Sequence, residues 1–245
     1  MKLLNYLLGC IIILASLTME SCNNKAPLSD IDFEVNGVKF RMIAVEGGSF
    51  MMGANPGQGE DARENEKPAH KVTVDDFLIG ETEVTQELWF AVMGNNPSAR
   101  TNDNGNLPVE NISWNDVQSF INKINDITGQ HFRLPYETEW EFAARGGLKS
   151  TNKKYAGSDD LDEVAWYEKN SEGHPHPVGE KHSNELGIYD MSGNVYEFCA
   201  DNIAKYCNIR GGFYLNTECP IILSTGISIE SKLSNVGFRL FQSVQ

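Results

Sequence analysis

Between residues 33 and 50 apolar side chains return at close to every second position, at Phe33, Val35, Val38, Phe40 and Met42. That period is the mark of half-buried strands, and Asn36-Gly37 between them is the dipeptide of a tight hairpin turn. A glycine-rich, charged loop follows over 55–69, and then Val72-Thr-Val74 and Phe77-Leu-Ile79 read as another short strand. From there the period changes to that of helices. Thr85 is placed to cap a helix that opens with Gln86 and Glu87 and stops at Gly94. Ser113-Trp-Asn-Asp116 has the form of a capping box, followed by Val117, Phe120, Ile121 and Ile124 on one face and by Gly129 as terminator. A third helix is predicted from Glu137 to Arg145, with Trp140, Ala143 and Ala144 on one face and Gly146-Gly147 as its end. Beyond Lys149 the periodicity fades into Gly, Asn, Ser and Pro punctuated by short apolar pairs, although Ser158-Asp-Asp-Leu-Asp-Glu163 reads as a helix start or a solvated turn. The class is α+β, with its helices early and a loop-rich β half late.

The first residues follow another logic. Lys2 precedes an apolar run from Leu7 to Leu17, which is of signal-peptide length and too short to span a bilayer. Cys22 follows directly, with Ser21 as the small residue before it, an arrangement that resembles a bacterial lipobox. The expected organisation is therefore a lipoprotein signal peptide over 1–21, a lipidated Cys22 with its tether over 22–36, and one domain over 37–245. Several acyl chains on Cys22 give stable anchoring, so the chain is expected in the bacterial cell envelope, at the outer membrane.

Charge narrows the partners. The net charge is −14, and no basic stripe is present to release phosphate counterions, which excludes nucleic acid. An acidic surface suits cation binding or solubility. Of the five cysteines, Cys199, Cys207 and Cys219 lie after Cys22, an odd number that leaves at least one thiol free.

Ordered motifs run through most of the chain: Gly48-Ser-Phe-Met-Met-Gly53, Glu83-Val-Thr85, Phe132-Arg-Leu-Pro135, Glu139-Trp-Glu-Phe-Ala-Ala-Arg-Gly-Gly147, Tyr189-Asp-Met-Ser-Gly-Asn-Val195, Arg210-Gly-Gly212 and Gly237-Phe-Arg-Leu240. Over about residues 40–241 the chain resembles the formylglycine-generating enzyme, or sulfatase-modifying-factor, family. The resemblance implies a C-type-lectin-like core with long loops. It also implies a choice between two kinds of member: oxidases that turn a sulfatase cysteine into formylglycine with copper on two thiolates, and non-catalytic proteins that bind ligands. Soft thiolates suit Cu(I). Here Phe213 replaces the serine after Arg-Gly-Gly, Asn216 falls at the first cysteine position and Ile221 near the second, which argues against copper and against a catalytic set. The five histidines read as structural or surface residues.

Calcium is the expected cofactor, with a structural role. In Asp190 to Glu197 a tight turn aims the Asp190 and Glu197 carboxylates and the Gly193 and Val195 carbonyls at one point, as hard cations require. These positions match a calcium site that the resemblance implies, and Asn170 marks a second one. The alternative is that both carboxylates only satisfy backbone amides. Tyr136 stands where the family has a helix-capping Thr. Arg133, Arg145, Arg210 and Arg239 are expected to bridge loops through carboxylates or carbonyls. The resemblance makes Phe213 to Asn235 the exposed recognition surface, with Phe213, Tyr214, Asn216 and Glu218 as ligand-binding residues, while Ile221, Ile222 and Leu223 read as a buried strand. The expected function is a non-catalytic, calcium-stabilised lectin-like lipoprotein that binds a protein or glycan at the envelope. The alternatives are an oxidase of the formylglycine-generating type with a rearranged metal site, or a structural lipoprotein of a motility or secretion complex.

Overall fold

A computed structural model describes residues 28–54, 66–102 and 104–244. The signal peptide and Cys22 lie outside the described residues.

The first hairpin forms as the alternation predicts. Strands β1 (Ile31–Val35) and β2 (Val38–Val45) pair antiparallel, with Val35 opposite Val38. Only Asn36 and Gly37 remain for the turn, and both take positive φ, 50° and 87°, as a type I′ turn requires. Because β1 is hydrogen-bonded into the sheet, and Asp30 accepts from Arg41 and from the Ala44 amide, residues read as tether are packed on the fold. The exposed outer strand buries only Val35, so its alternation alone left it looking like part of the tether.

β3 (Gly48–Met52) pairs with β4 (His70–Val74) as a separate two-stranded sheet, whereas β5 (Phe77–Gly80) joins β2. The single strand expected over 72–79 is thus two strands in two sheets, broken at Asp75-Asp76. β5 is buried along its whole length, so alternation carries no information there.

Each predicted helix is present. α1 (Gln86–Met93) is capped by the Thr85 hydroxyl and ends at Gly94. α2 (Trp114–Thr128) carries the complete Ser113/Asp116 capping box and ends at Gly129. α3 (Glu137–Ala144) follows β6 (Phe132–Arg133). Tyr136 supplies no cap oxygen, and its ring is 51% exposed. Two acids take the role instead: Asp201 accepts from the Glu137 amide at 2.6 Å, and Glu139 accepts from the Tyr136 amide at 2.8 Å. The acidic run becomes the single turn α4 (Leu161–Val164), capped by Asp160.

The five-stranded sheet has the order β1-β2-β5-β11-β6, in which β11 (Phe241–Ser243) sits between strands from the first half of the chain. The four-stranded sheet has the order β10-β7-β8-β9, built from β7 (Tyr196–Ile203), β8 (Tyr206–Arg210), β9 (Ser224–Ser228) and β10 (Val236–Gly237). α1 and α2 pack on one core, where Trp89, Phe120 and Phe238 meet with ring centroids 5.1–6.2 Å apart. α3 packs on a second core with Phe77, Phe142 and Phe241. Ile221, Ile222 and Leu223 are buried as expected, yet they form a turn before β9 and not a strand. Cys199, Cys207 and Cys219 are all buried free thiols. Among the described residues no helix is long and apolar enough to cross a membrane.

Candidate functional site

The turn from Asp190 to Val195 leads into β7, and its backbone leaves little freedom. Gly193 has φ +86°, and a Cβ there would sit 2.4 Å from the Trp166 carbonyl oxygen. Asp190 and Asn194 also take positive φ, 58° and 55°, which acidic and amide side chains tolerate best after glycine. The Gly193 amide donates to the Gly211 carbonyl and the Asn194 amide to the Trp166 carbonyl, at 2.9 and 2.8 Å. The turn is therefore held from outside by Arg210-Gly-Gly212 and by the segment after α4.

Beneath it lies a buried charge centre. Arg239 and Glu197 are both fully buried and form a bidentate pair, Nε to Oε2 at 2.6 Å and Nη2 to Oε1 at 2.5 Å. The same guanidinium donates to the carbonyls of Gly80 and Tyr189, each at 3.0 Å. Trp140 Nε1 donates to Glu197 Oε2 at 2.7 Å. Glu197, expected to reach a cation, is thus engaged by Arg239 and Trp140. That expectation rested on the turn and on the site the resemblance implies; the partner comes from the segment between β10 and β11, 42 residues later.

Asp190 differs. Its Oδ2 accepts from the Gly179 amide at 2.7 Å, while Oδ1 is buried with no described partner. Next to it lies Glu83, 1% exposed, which receives no hydrogen bond from an amide or cationic group and shares one with Asp190 when protonated. Burial pushes Glu83 well above the usual carboxylate range, and the negative Asp190 and Glu197 push it further. Burial likewise raises Asp190 to about 6 against the pull of the Gly179 amide and Arg239. Three carboxylates thus face one guanidinium. The deficit is met by protons or by a cation, because unpaired buried charges are too costly to persist. The Gly193 and Val195 carbonyls accept no hydrogen bond from described groups. The open donors are all oxygens, from Glu83, Asp190 and two carbonyls, and these suit a hard cation. Side chains alone do not make the cage: among the described residues no three His, Cys, Asp or Glu are grouped to hold a metal. Glu83 was missed as a site residue. Its signal was an acid set between the fully buried β5 and the cap of α1, where an apolar residue is the rule.

Asn170 is not open to a ligand. Its Oδ1 accepts from the Tyr167 amide at 2.9 Å and its Nδ2 donates to the Ala165 carbonyl at 3.0 Å, which makes it a turn residue.

In the C-terminal loop the four predicted ligand-binding residues separate. Tyr214 is 9% exposed, its amide held by the Asn194 carbonyl and its own carbonyl by Ser171 Oγ, so it belongs to the packed interior and not to an open surface. Phe213 is half-buried between Tyr196 and Tyr214, with both centroid distances 5.3 Å. Asn216 Oδ1 accepts from the Phe213 amide at 2.8 Å and closes the turn. Glu218 remains at the surface, bonded to Lys154 Nζ at 2.7 Å and to the Tyr155 hydroxyl. Leu215, 49% exposed, stands between them. Cys219 is fully buried, and its thiol is pushed up to about 12 by burial, so no thiolate faces the loop surface. His176 stacks on Trp166 at 3.8 Å and on His174 at 4.6 Å, beside this loop.

The fold finds counterparts in known proteins. The profile of the "Sulfatase-modifying factor enzyme 1-like domain" matches residues 33–244. "Chaperone protein LppX" of Paenibacillus barcinonensis is 34% identical over 209 residues, covering 64% of this chain and 70% of that protein. "Inactive C-alpha-formylglycine-generating enzyme 2" of Bos taurus is 25% identical over 279 residues, covering 83% and 88%. The solved structure of "Treponema denticola variable protein 1" superposes with a TM-score of 0.80 at 30% identity, covering 87% of this chain and 98% of that one. With the profile spanning nearly the whole described fold, the chain belongs to the sulfatase-modifying-factor family.

Proposed function

We propose that the protein is a non-catalytic, calcium-stabilised binding lipoprotein of the bacterial envelope that recognises a protein or glycan through the loop surface around Leu215 and Glu218. The observation that carries this reading is the state of the loop. Asn216 closes a turn, Ile221 is buried, and Cys219 is enclosed with its thiol raised to about 12. A copper-thiolate reaction needs exposed, easily ionised sulfurs in a pair. The lipobox-like Cys22 supports anchoring at the outer membrane, and the relative named a chaperone fits a protein that works by binding. For calcium the support is the buried Glu83–Asp190 carboxyl pair, held together only by a shared proton that a cation can replace, with the Gly193 and Val195 carbonyls.

Two experiments test the reading. Purified protein is assayed for Cu(I) binding and for conversion of a cysteine peptide to an aldehyde; either activity at stoichiometric level overturns it. Cross-linking in intact envelopes is then compared between the wild type and a Leu215→Asp/Glu218→Ala variant. The expected outcome is loss of one specific cross-linked species with unchanged folding, and retention of every species removes the loop surface from the proposal.

A further inference from the structure

A second group of buried charges lies away from Asp190, where α3 crosses the outer face of β8 and β9. Arg210 is 3% exposed and pairs through Nη2 with Glu141, which also holds Arg145 at 2.7 Å and the Gly53 amide at 2.8 Å. This pair-of-pairs neutralises Glu141. Glu137, one helical turn earlier, shares Arg210 with Glu141 as the longer arm of that ion pair. It accepts from Ser224 Oγ at 2.6 Å and Asn208 Nδ2 at 2.5 Å, both uncharged, and touches Arg210 Nη1 only at 3.5 Å. Its side chain keeps 17% exposure, so the carboxylate can be reached from outside and has lone pairs left for a further donor.

It faces a cleft of about 510 Å³, within the range of small-molecule sites. The floor is Glu137 with Asn208 and Arg210, the apolar wall is Met52 with Ile222, and the rim carries Lys67 and His70. Lys67 is exposed and has no ion-pair partner among the described residues. The cleft is open over β9 because position 226 is glycine. A Cβ there would meet nothing nearer than Asn208 Oδ1 at 3.7 Å, and φ is not in the left-handed range. Nothing in the local backbone demands glycine, yet any larger residue would project into this space.

We propose that this cleft binds a small zwitterion, an amino acid or a short peptide, with its ammonium on Glu137 and its carboxylate toward Lys67. The opposed charges select for both ends of such a molecule, and Met52 and Ile222 accept small apolar side chains between them. Among the described residues no Trp, Tyr or Phe lines the cleft to stack on a sugar ring. The site shares no residue with the loop surface around Leu215 and Glu218, and stands or falls separately from the reading of that surface.

The test uses trialanine as probe, titrated into the purified protein by calorimetry, with N-acetyl-trialanine, trialanine amide and maltose as comparisons. Saturable binding of trialanine is expected, weakened at least about tenfold by either cap, as loss of one charge-assisted hydrogen bond implies. Gly226→Leu should abolish binding without lowering the melting temperature, and Lys67→Gln should weaken free trialanine while leaving the amide unchanged. Glu137→Gln is the mirror variant and should affect free trialanine more than the acetylated form. Equal binding of capped and free peptide, preference for maltose, or undiminished binding by Gly226→Leu would each overturn the assignment, as would absence of binding at millimolar trialanine.

Discussion

Replacing Asp190 with Asn should stabilise the protein. The ordinary carboxyl value of 3.8 is raised to about 6 by burial at this position. A group whose folded value is raised contributes stability that is fully present below its unfolded value and lost as pH rises through the folded one. For Asp190 that window runs from about pH 4 to somewhat above pH 6. The shift is about two pH units, and at 1.36 kcal/mol per unit it corresponds to about 3 kcal/mol lost by neutral pH. Asn cannot ionise, so it keeps what Asp190 loses. It retains an acceptor for the Gly179 amide and tolerates the φ of +58° at least as well. For a domain of this size 1 kcal/mol moves the melting temperature by roughly 2–4 °C, so the variant should melt roughly 6–12 °C higher at neutral pH with a chelator present. The assay is circular-dichroism melting across the pH range, in chelator and then in millimolar calcium. In calcium the advantage should shrink, because a cation held by the folded state stabilises the wild type by mass action. The reasoning fails if Asp190→Asn melts no higher than wild type in chelator at neutral pH, or if both proteins show the same pH profile between pH 4 and 7.

Glu197→Gln should have the opposite sign, since it breaks the buried bidentate pair with Arg239 and leaves only the more distant Glu83 and Asp190 as counter-charges; a loss of about 3 kcal/mol in urea unfolding is expected. Gly193→Ala should be about as damaging, because its Cβ would stand 2.4 Å from the Trp166 carbonyl oxygen; soluble yield and melting temperature report it. Asp201→Ala removes the oxygen that caps α3 in place of Tyr136, and should cost about 0.5–2 kcal/mol, read by chemical denaturation. The three buried thiols should react with a thiol reagent only after denaturation; rapid labelling of the native protein would contradict their enclosure.

Local signals were legible in the sequence wherever one residue decides the outcome. The Ser113/Asp116 box, the Gly94 and Gly129 stops and the Asn36-Gly37 turn each work within a few residues, and each appears as read. The role of Arg239 in tying Glu197 to Gly80 and Tyr189 was legible only as a general expectation, because its partners lie 42 to 159 residues away. The same distance hid Glu83 from the reading of the turn. It enters the charge centre from the segment before α1, and no spacing rule connects it to Asp190. Tyr214 was misplaced for a related reason. Aromatic residues serve both recognition surfaces and cores, and only the bond from Ser171 to its carbonyl decides which.

The position of β11 bears on how the chain comes to be folded at all. This strand closes the five-stranded sheet by lying between β5 and β6, so the sheet stays split until nearly all of the described chain is available. Such long-range closure makes folding slow and leaves the apolar edges of β5 and β6 open to solvent in the interim. For a protein predicted to cross a membrane before folding, this delay is useful: the largest sheet cannot close ahead of export, although the β3-β4 and β10-β7-β8-β9 sheets need nothing beyond Gly237. It also makes the last few described residues a natural point of failure. A chain cut just before Phe241 should emerge as an aggregation-prone species that requires a holding chaperone, even though every residue of the charge centre is still present.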